Sequence, residues 1–115
     1  MKPKVLERDV LKPVWELLQT KYRHGHWSRV SAPLRLYKGI KVKSPNRGMG
    51  DIIGCLRGQY IEIETKWEGA DRSHKDTKAA QAARRESVTK PGSDGLYIIA
   101  RSPDDVDKVL REIDL

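Results

Sequence analysis

Near the middle of the chain, two carboxylates and one ammonium group have a spacing that could hold a divalent metal ion. Asp51 follows the glycine-rich stretch Gly48-Met49-Gly50, and Glu64 and Lys66 lie further along, with a single residue between them. Alternate residues of a strand lie on the same face, so Glu64 and Lys66 should be about 6 to 7 Å apart along it. The space between them has room for a metal-bound water or a phosphate oxygen.

The sequence around these groups predicts a β-hairpin. Asp51 opens an apolar run that ends at Leu56, a short turn follows at Arg57-Gly58-Gln59, and Tyr60 begins the run that carries Glu64. If the second run folds back beside the first, Asp51 comes to lie next to Glu64. The two carboxylates and the Lys66 ammonium then converge.

These groups suit the chemistry of a hard divalent cation. Such cations prefer oxygen ligands, and Mg²⁺ usually takes only one or two protein carboxylates while keeping several waters. We therefore expect Asp51 and Glu64 to bind Mg²⁺ or Mn²⁺. Lys66 would orient or help to deprotonate a metal-bound water and stabilise charge on a phosphate. The alternative is that Lys66 only forms a structural ion pair with Glu64.

A further carboxylate, Glu7, is predicted on the inner side of a helix. Glu7, Leu11, Val14 and Leu18 fall on one stripe of a helix that we predict from residue 5 to 22. A carboxylate on the buried side of a helix needs a partner or a metal, because burying it bare costs several kcal/mol. The alternative is an acid that is favoured at a helix N-terminus by the helix dipole.

The remaining patterns predict a small α/β protein, of the α+β type, in which a mixed sheet is flanked by helices. We expect a strand that ends near Pro33, a loop or distorted ribbon from residue 34 to 49, a helix from a capping box at Ser73 to about Val88, a strand at residues 96–100, and a last helix after Ser102-Pro103. The predicted order is α, β, β, β, α, β, α. Because 115 residues suffice for one core, we expect a single domain over residues 1–115.

With this ordered set of residues, the chain resembles the PD-(D/E)xK nuclease superfamily and, within it, the virus-type replication-repair nuclease (VRR-NUC) family. The resemblance covers most of the chain: Glu7 on the first helix, the acid after Gly50, the Glu64-Thr65-Lys66 strand, Gln81 on the next helix, and the closing strand and helix. The family usually has a proline where this chain has Gly50. The resemblance implies a restriction-endonuclease-like core.

The resemblance also implies roles for particular residues. The catalytic set would be Asp51, Glu64, Lys66, Gln81 and Glu7. The metal would be bound by Asp51 and Glu64, by the backbone carbonyl of Thr65, and by Glu7 directly or through water. Gln81 would orient Lys66 or the attacking water through its amide.

The implied function is a Mg²⁺- or Mn²⁺-dependent endonuclease that hydrolyses DNA phosphodiester bonds. Standalone members of this size resemble phage enzymes that act inside a bacterial host as homodimers on branched DNA, including four-way (Holliday) junctions. Three alternatives stay open: a basic DNA-binding module that has lost hydrolysis, a nicking or general nuclease without junction preference, and an RNA nuclease.

The charge of the chain favours a polyanionic partner, since the net charge is +7. A merely soluble basic protein is the other interpretation. The basic residues cluster on both sides of the predicted site, and glycines there would let backbone approach a phosphate closely. The predicted DNA contacts are Lys38, Lys41, Lys43, Arg47, Gly48, Gly50, Arg72, Lys75, Lys78, Arg84 and Arg85.

Other features of the sequence bound the environment of the protein. Cys55 is the single cysteine, so we expect no intramolecular disulfide and a small core residue at that position. Glu62 is expected to be a solvated surface residue, the alternatives being a second metal or a nearby arginine. With no membrane-length apolar run and no GxxxxGK[ST] phosphate loop, we expect an intracellular, cytoplasmic protein with neither a membrane nor a nucleotide cofactor among its partners.

Overall fold

The computed structural model describes residues 7–30, 35–37, 40–42, 50–67 and 75–114. For residues 7, 8, 35–37, 40–42 and 75–77 it describes the course of the backbone only. The described part is a mixed α+β structure with three helices and a four-stranded mixed sheet. In chain order the elements are α1 (Glu7–Thr20), β1 (His26–Arg29), β2 (Arg35–Tyr37), β3 (Ile40–Val42), β4 (Ile52–Leu56), β5 (Gln59–Thr65), α2 (Lys75–Thr89), β6 (Leu96–Ala100) and α3 (Pro103–Ile113).

The main sheet has the strand order β1-β4-β5-β6. Strands β1, β4 and β5 pair antiparallel, whereas β6 pairs parallel to β5 after the α2 crossover. The succession of elements roughly matches the predicted order. The difference is a separate two-stranded ribbon, β2 with β3, within the segment predicted as a loop or distorted ribbon.

The hairpin of β4 and β5 is tight. Leu56 pairs with Gln59, and the turn between them consists of Arg57 and Gly58, which have φ angles of 54° and 78°. Two successive residues with positive φ are typical of a type I′ turn, whose twist matches that of the flanking strands. Because Ile52 pairs with Ile63, the register continues to place Asp51 opposite Glu64.

The apolar core lies on one face of this sheet, beneath α1 and α3. The core cluster includes fully buried residues of β4, β5, α1 and α3, among them Ile52, Ile63, Leu18, Val106 and Leu110. Cys55 is half-buried and lies outside that cluster, so its predicted place in the core is wrong. Its strand alternation turns it to the opposite face, since Ile52 and Leu56 face the core.

Polar contacts join the two helices that cover the core. The Asp107 carboxylate on α3 accepts hydrogen bonds from Tyr22 Oη at 2.6 Å and Lys21 Nζ at 2.7 Å, just after α1. Asp114, at the end of α3, lies 2.7 Å from His24 Nε2 and accepts a hydrogen bond from Arg57 Nε. Among the helices of the described ranges, none has the combination of length and apolar character needed to cross a membrane.

Candidate active site

The face of the sheet opposite the core carries a row of polar side chains on β5. Ile61 and Ile63 are fully buried against the core, and the alternation along the strand turns Glu62 and Glu64 to the other face. There α2 covers them, leaving Glu62 at 0% and Glu64 at 7% exposure. Two carboxylates buried side by side require hydrogen-bond partners or compensating charge. Gln81 and Arg84, on one face of α2, are among these partners.

Gln81 on α2 connects Glu64 with Lys66. Its Nε2 donates a hydrogen bond to Glu64 Oε1 at 2.9 Å, and its Oε1 accepts one from Lys66 Nζ at 3.1 Å. A side-chain amide can do this because it carries a donor and an acceptor on the same planar group. The structure therefore brings together three of the residues predicted to act at the site.

Asp51 lies at the start of the neighbouring strand and is fixed by Thr65. Asp51 Oδ2 accepts hydrogen bonds from the Thr65 N–H and from Thr65 Oγ1, both at 2.7 Å. The Asp51 backbone carbonyl also accepts a hydrogen bond from the Val30 N–H at 2.8 Å. The Thr65 contacts hold the Asp51 carboxylate, the Val30 contact holds its backbone, and the β4–β5 register continued by one residue places Asp51 opposite Glu64. The role of the Thr65 carbonyl as a metal ligand stays a prediction.

Glu62 is fully buried, so its expected place on the solvated surface is wrong. Its Oε2 accepts hydrogen bonds from Arg84 Nη2 at 2.7 Å, Arg84 Nε at 2.9 Å and Tyr60 Oη at 2.8 Å. Its Oε1 accepts one from the Gly50 N–H at 3.1 Å. The arginine partner that the sequence left as an alternative is the one observed. It could have been sought on α2, one helical turn from Gln81.

The Glu62–Arg84 pair is ionised. Burial by itself raises the pKa of Glu62, but the hydrogen bonds from Arg84, Gly50 and Tyr60 outweigh it and hold that pKa below its ordinary value. The same hydrogen bond to Glu62 raises the pKa of Arg84. Arg84 was predicted to contact DNA, which stays a prediction; in the structure its guanidinium is directed inward to Glu62.

Gly50 was also predicted to let backbone approach a phosphate, which stays a prediction, and the structure shows a separate reason for a glycine at this position. The residue is buried, and a Cβ there would lie 2.8 Å from the Ile63 carbonyl oxygen. Its N–H is already used by Glu62. Glycine is thus required by the close approach to β5. A proline at this position would lack the N–H that Glu62 accepts.

Two predicted DNA contacts, Lys78 and Arg85, lie on the exposed side of α2 beside the site. They line a cleft of about 440 Å³ between α2 and β6. Glu64, Lys66, Gln81 and Tyr97 also line it.

Several predicted residues fall beyond what the structure describes. Lys38, Lys43, Arg47, Gly48 and Arg72 lie outside the described residues. Glu7, Lys41 and Lys75 are placed by their backbone in α1, β3 and α2, and their side chains lie outside the description. The Ser73 capping box is likewise outside it.

Tyr97 is a residue of this region that the sequence did not indicate. It lies on β6 in register with Glu62 and lines the cleft together with Glu64. A tyrosine in a short apolar strand has the appearance of an ordinary sheet residue. Only the parallel pairing of β6 with β5, which connects segments far apart in the chain, places it among the carboxylates.

The donors at this site fit a hard divalent cation with few protein ligands. Within the described residues, no group of three or more His, Cys, Asp or Glu side chains converges in a metal-binding arrangement. Asp51, directly before β4, and Glu64 of β5 could supply two carboxylate oxygens, since the strand register continues to place them opposite each other. Mg²⁺ commonly accepts such a pair and fills its other positions with water and substrate phosphate.

Comparison of the chain with protein-family models, curated proteins and solved structures found no match. The geometry contributes the joining of Glu64, Gln81 and Lys66 by hydrogen bonds, with Asp51 held against the neighbouring Thr65.

Proposed function

We propose that this protein is a Mg²⁺- or Mn²⁺-dependent endonuclease that hydrolyses DNA phosphodiester bonds on a restriction-endonuclease-like core. The observation that carries the proposal is the Gln81 amide, which joins the Glu64 carboxylate to the Lys66 ammonium beside Asp51. A helix residue separated from the strand motif in sequence thus meets both of its charged groups. That arrangement supports the roles that the sequence resemblance implies for these residues.

Each described side chain has a defined task in this proposal. When bound, the metal lowers the pKa of its water and offsets charge on the scissile phosphate. Asp51 and Glu64 bind the metal, and Thr65 fixes the direction of the Asp51 carboxylate. Lys66 orients the attacking water and stabilises charge on the phosphate. Gln81 limits the positions that the long Lys66 side chain can adopt.

The substrate we propose is branched DNA, including four-way junctions, cut by a homodimer. A two-fold dimer with one site in each protomer can make paired cuts in two strands. Support for this preference comes from the family resemblance of the sequence. Exposed Lys78 and Arg85 beside the cleft supply positive charge where a DNA backbone would pass.

The test is a cleavage assay with labelled substrates in Mg²⁺ or Mn²⁺. A four-way junction, a flap, linear duplex, single-stranded DNA and RNA are compared, with Asp51→Asn as the inactive variant and exposed Asp104→Asn as its matched control. We expect metal-dependent, symmetric cuts at the junction that Asp51→Asn abolishes and Asp104→Asn retains. Cutting of every substrate would leave a general nuclease. Binding without any cutting would indicate a DNA-binding module.

A further inference from the structure

The hydroxyl group of Tyr97 is buried beside the candidate metal ligands. Its oxygen has almost no solvent contact, and no hydrogen bond joins it to any residue that the structure describes. Tyr97 lies next to β5 on the face covered by α2, and it shares the cleft with Glu64, Lys66 and Gln81. A buried hydroxyl without a hydrogen-bond partner is unfavourable for folding, because it gives up its hydrogen bonds to water and forms none within the protein.

A second phenol on the same sheet face provides the contrast. Tyr60 Oη donates to Glu62 Oε2 at 2.8 Å and lies near Arg84, so its hydrogen-bonding capacity is used. Tyr97 is one strand away, in register with Glu62 itself. Both tyrosines lie beside carboxylates, but only the Tyr60 hydroxyl forms a hydrogen bond to one.

The surroundings of Tyr97 keep its phenol protonated. Burial raises the pKa of the phenol, and the negative charges of Glu64, Glu62 and Asp51 raise it further, against a small opposing effect of Arg85. The neutral phenol is a hydrogen-bond donor, and carboxylates are acceptors. The site thus contains a donor held close to the carboxylates proposed to bind the metal.

We propose that Tyr97 is a positioning residue for Glu64: its hydroxyl donates a hydrogen bond to the Glu64 carboxylate when that carboxylate binds a divalent cation. The proposal rests on the proposed function, because it takes Glu64 as a metal ligand. In the present arrangement Glu64 Oε1 accepts a hydrogen bond from Gln81. A carboxylate that binds a metal is commonly held in its orientation by a hydrogen bond from an outer donor, and we expect the Tyr97 hydroxyl to be that donor once Glu64 turns to the cation.

The test compares Tyr97→Phe with Tyr60→Phe, which delete one hydroxyl each and keep the ring. Without metal, we expect Tyr97→Phe to melt at the same temperature as the wild type or higher, and Tyr60→Phe to melt lower. In calorimetric titration with Mn²⁺, we expect Tyr97→Phe to bind about tenfold more weakly, as is typical when an outer-shell partner is removed. Tyr60→Phe should bind Mn²⁺ as the wild type does.

Two results would overturn the inference about Tyr97. One is wild-type Mn²⁺ affinity in Tyr97→Phe. The other is a loss of metal-free stability equal to that of Tyr60→Phe, because the hydroxyl would then already have a partner. If wild-type protein cleaves DNA and these results are found, only the Tyr97 inference fails. If the wild type neither binds Mn²⁺ nor cleaves, the proposed function fails and this inference with it.

A measurement on the wild type tests the inference without any substitution at Tyr97. The chain has four tyrosines, so the Tyr97 resonance in a ¹³Cζ-tyrosine spectrum can be assigned by elimination with Tyr22→Phe, Tyr37→Phe and Tyr60→Phe. Saturating Mg²⁺ should shift the Tyr97 resonance as its hydroxyl gains an acceptor. A resonance that stays in place while Mg²⁺ binds would contradict the inference.

Discussion

The partners of each carboxylate decide what it can do. Glu62 and Glu64 have the same residue type, the same strand face and nearly the same burial. Glu62 meets the charged Arg84 guanidinium, which cancels its charge, whereas Gln81, which meets Glu64, is a neutral amide. The negative charge of Glu64 is thus not cancelled by Gln81. In line with the proposed function, we expect Glu62 to serve stability and Glu64 to bind the metal.

At the same scale, Lys66→Ala should remove most of the cleavage activity while leaving the stability of the fold nearly unchanged. Lys66 is half-buried and contacts Gln81 at the edge of the cleft, outside the apolar core. We expect the single-turnover cleavage rate to fall about 10²- to 10³-fold, the usual effect of losing one stabilising group at a transition state. Exposed Lys90→Ala is the matched control. Wild-type rates in Lys66→Ala would remove Lys66 from the mechanism.

At the scale of elements, helix α2 organises the site, because its inner face contacts β5 through side chains one turn apart. Gln81 and Arg84 meet Glu64 and Glu62, and Val88 is buried near Gly95 beyond them. The helix therefore lies on the sheet mainly through polar contacts, whereas α1 and α3 lie on it through apolar ones. Such a polar interface should be sensitive to pH.

Protonation of Glu62 should weaken this interface. The folded-state pKa of Glu62 lies below its ordinary value of 4.5, so its stabilising effect is present above that pH and is lost as the pH falls through the lower folded value. The difference in unfolding free energy between wild type and Glu62→Gln should shrink as the pH falls from 7 to 3. Urea unfolding measures it, with exposed Glu112→Gln as control. A difference that does not change with pH would contradict the buried ion pair.

The β4–β5 hairpin could be predicted because its signals are local: alternating apolar residues and a turn at Arg57-Gly58. The start of α3 at Ser102-Pro103 could be predicted for the same reason, because its signals are also local. The hydrogen bonds that join Glu62 to Arg84 and Gly50 could not be predicted. Which side chains of α2 meet Glu62 depends on how the helix is rotated over the sheet, and neither propensity nor periodicity gives that rotation. The same holds for Tyr97, whose neighbours come from a parallel pairing across a long crossover.

At the scale of the whole molecule, we expect the net charge of +7 to be the main attraction for the proposed DNA substrate. Among the predicted DNA contacts whose side chains the structure describes, two are exposed, Lys78 and Arg85. Both line the cleft of the site. Arg84 contributes less than its sequence position suggested, since Glu62 neutralises it. Among the side chains that the structure describes, those on the outer side of α2 should therefore contribute positive charge near the site.

DNA binding should weaken steeply with salt, and the cleft residues should account for part of that dependence. Lys78→Ala and Arg85→Ala should each reduce the slope of log affinity against log salt by about 1, since each removes roughly one phosphate contact. Lys12→Ala, exposed on α1 over the opposite face, should leave the slope unchanged. Fluorescence anisotropy across a salt series measures the slope. Equal slopes in all variants would place the DNA elsewhere.

The most direct test of the central claim compares Glu64→Gln with Glu62→Gln in single-turnover cleavage with Mn²⁺. The two variants make the same chemical change two residues apart on one strand face. We expect Glu64→Gln to lose cleavage while staying folded, and Glu62→Gln to lose stability but keep cleaving at temperatures where it is folded. Wild-type cleavage by Glu64→Gln, or equal loss in folded Glu62→Gln, would contradict a metal site built on Glu64.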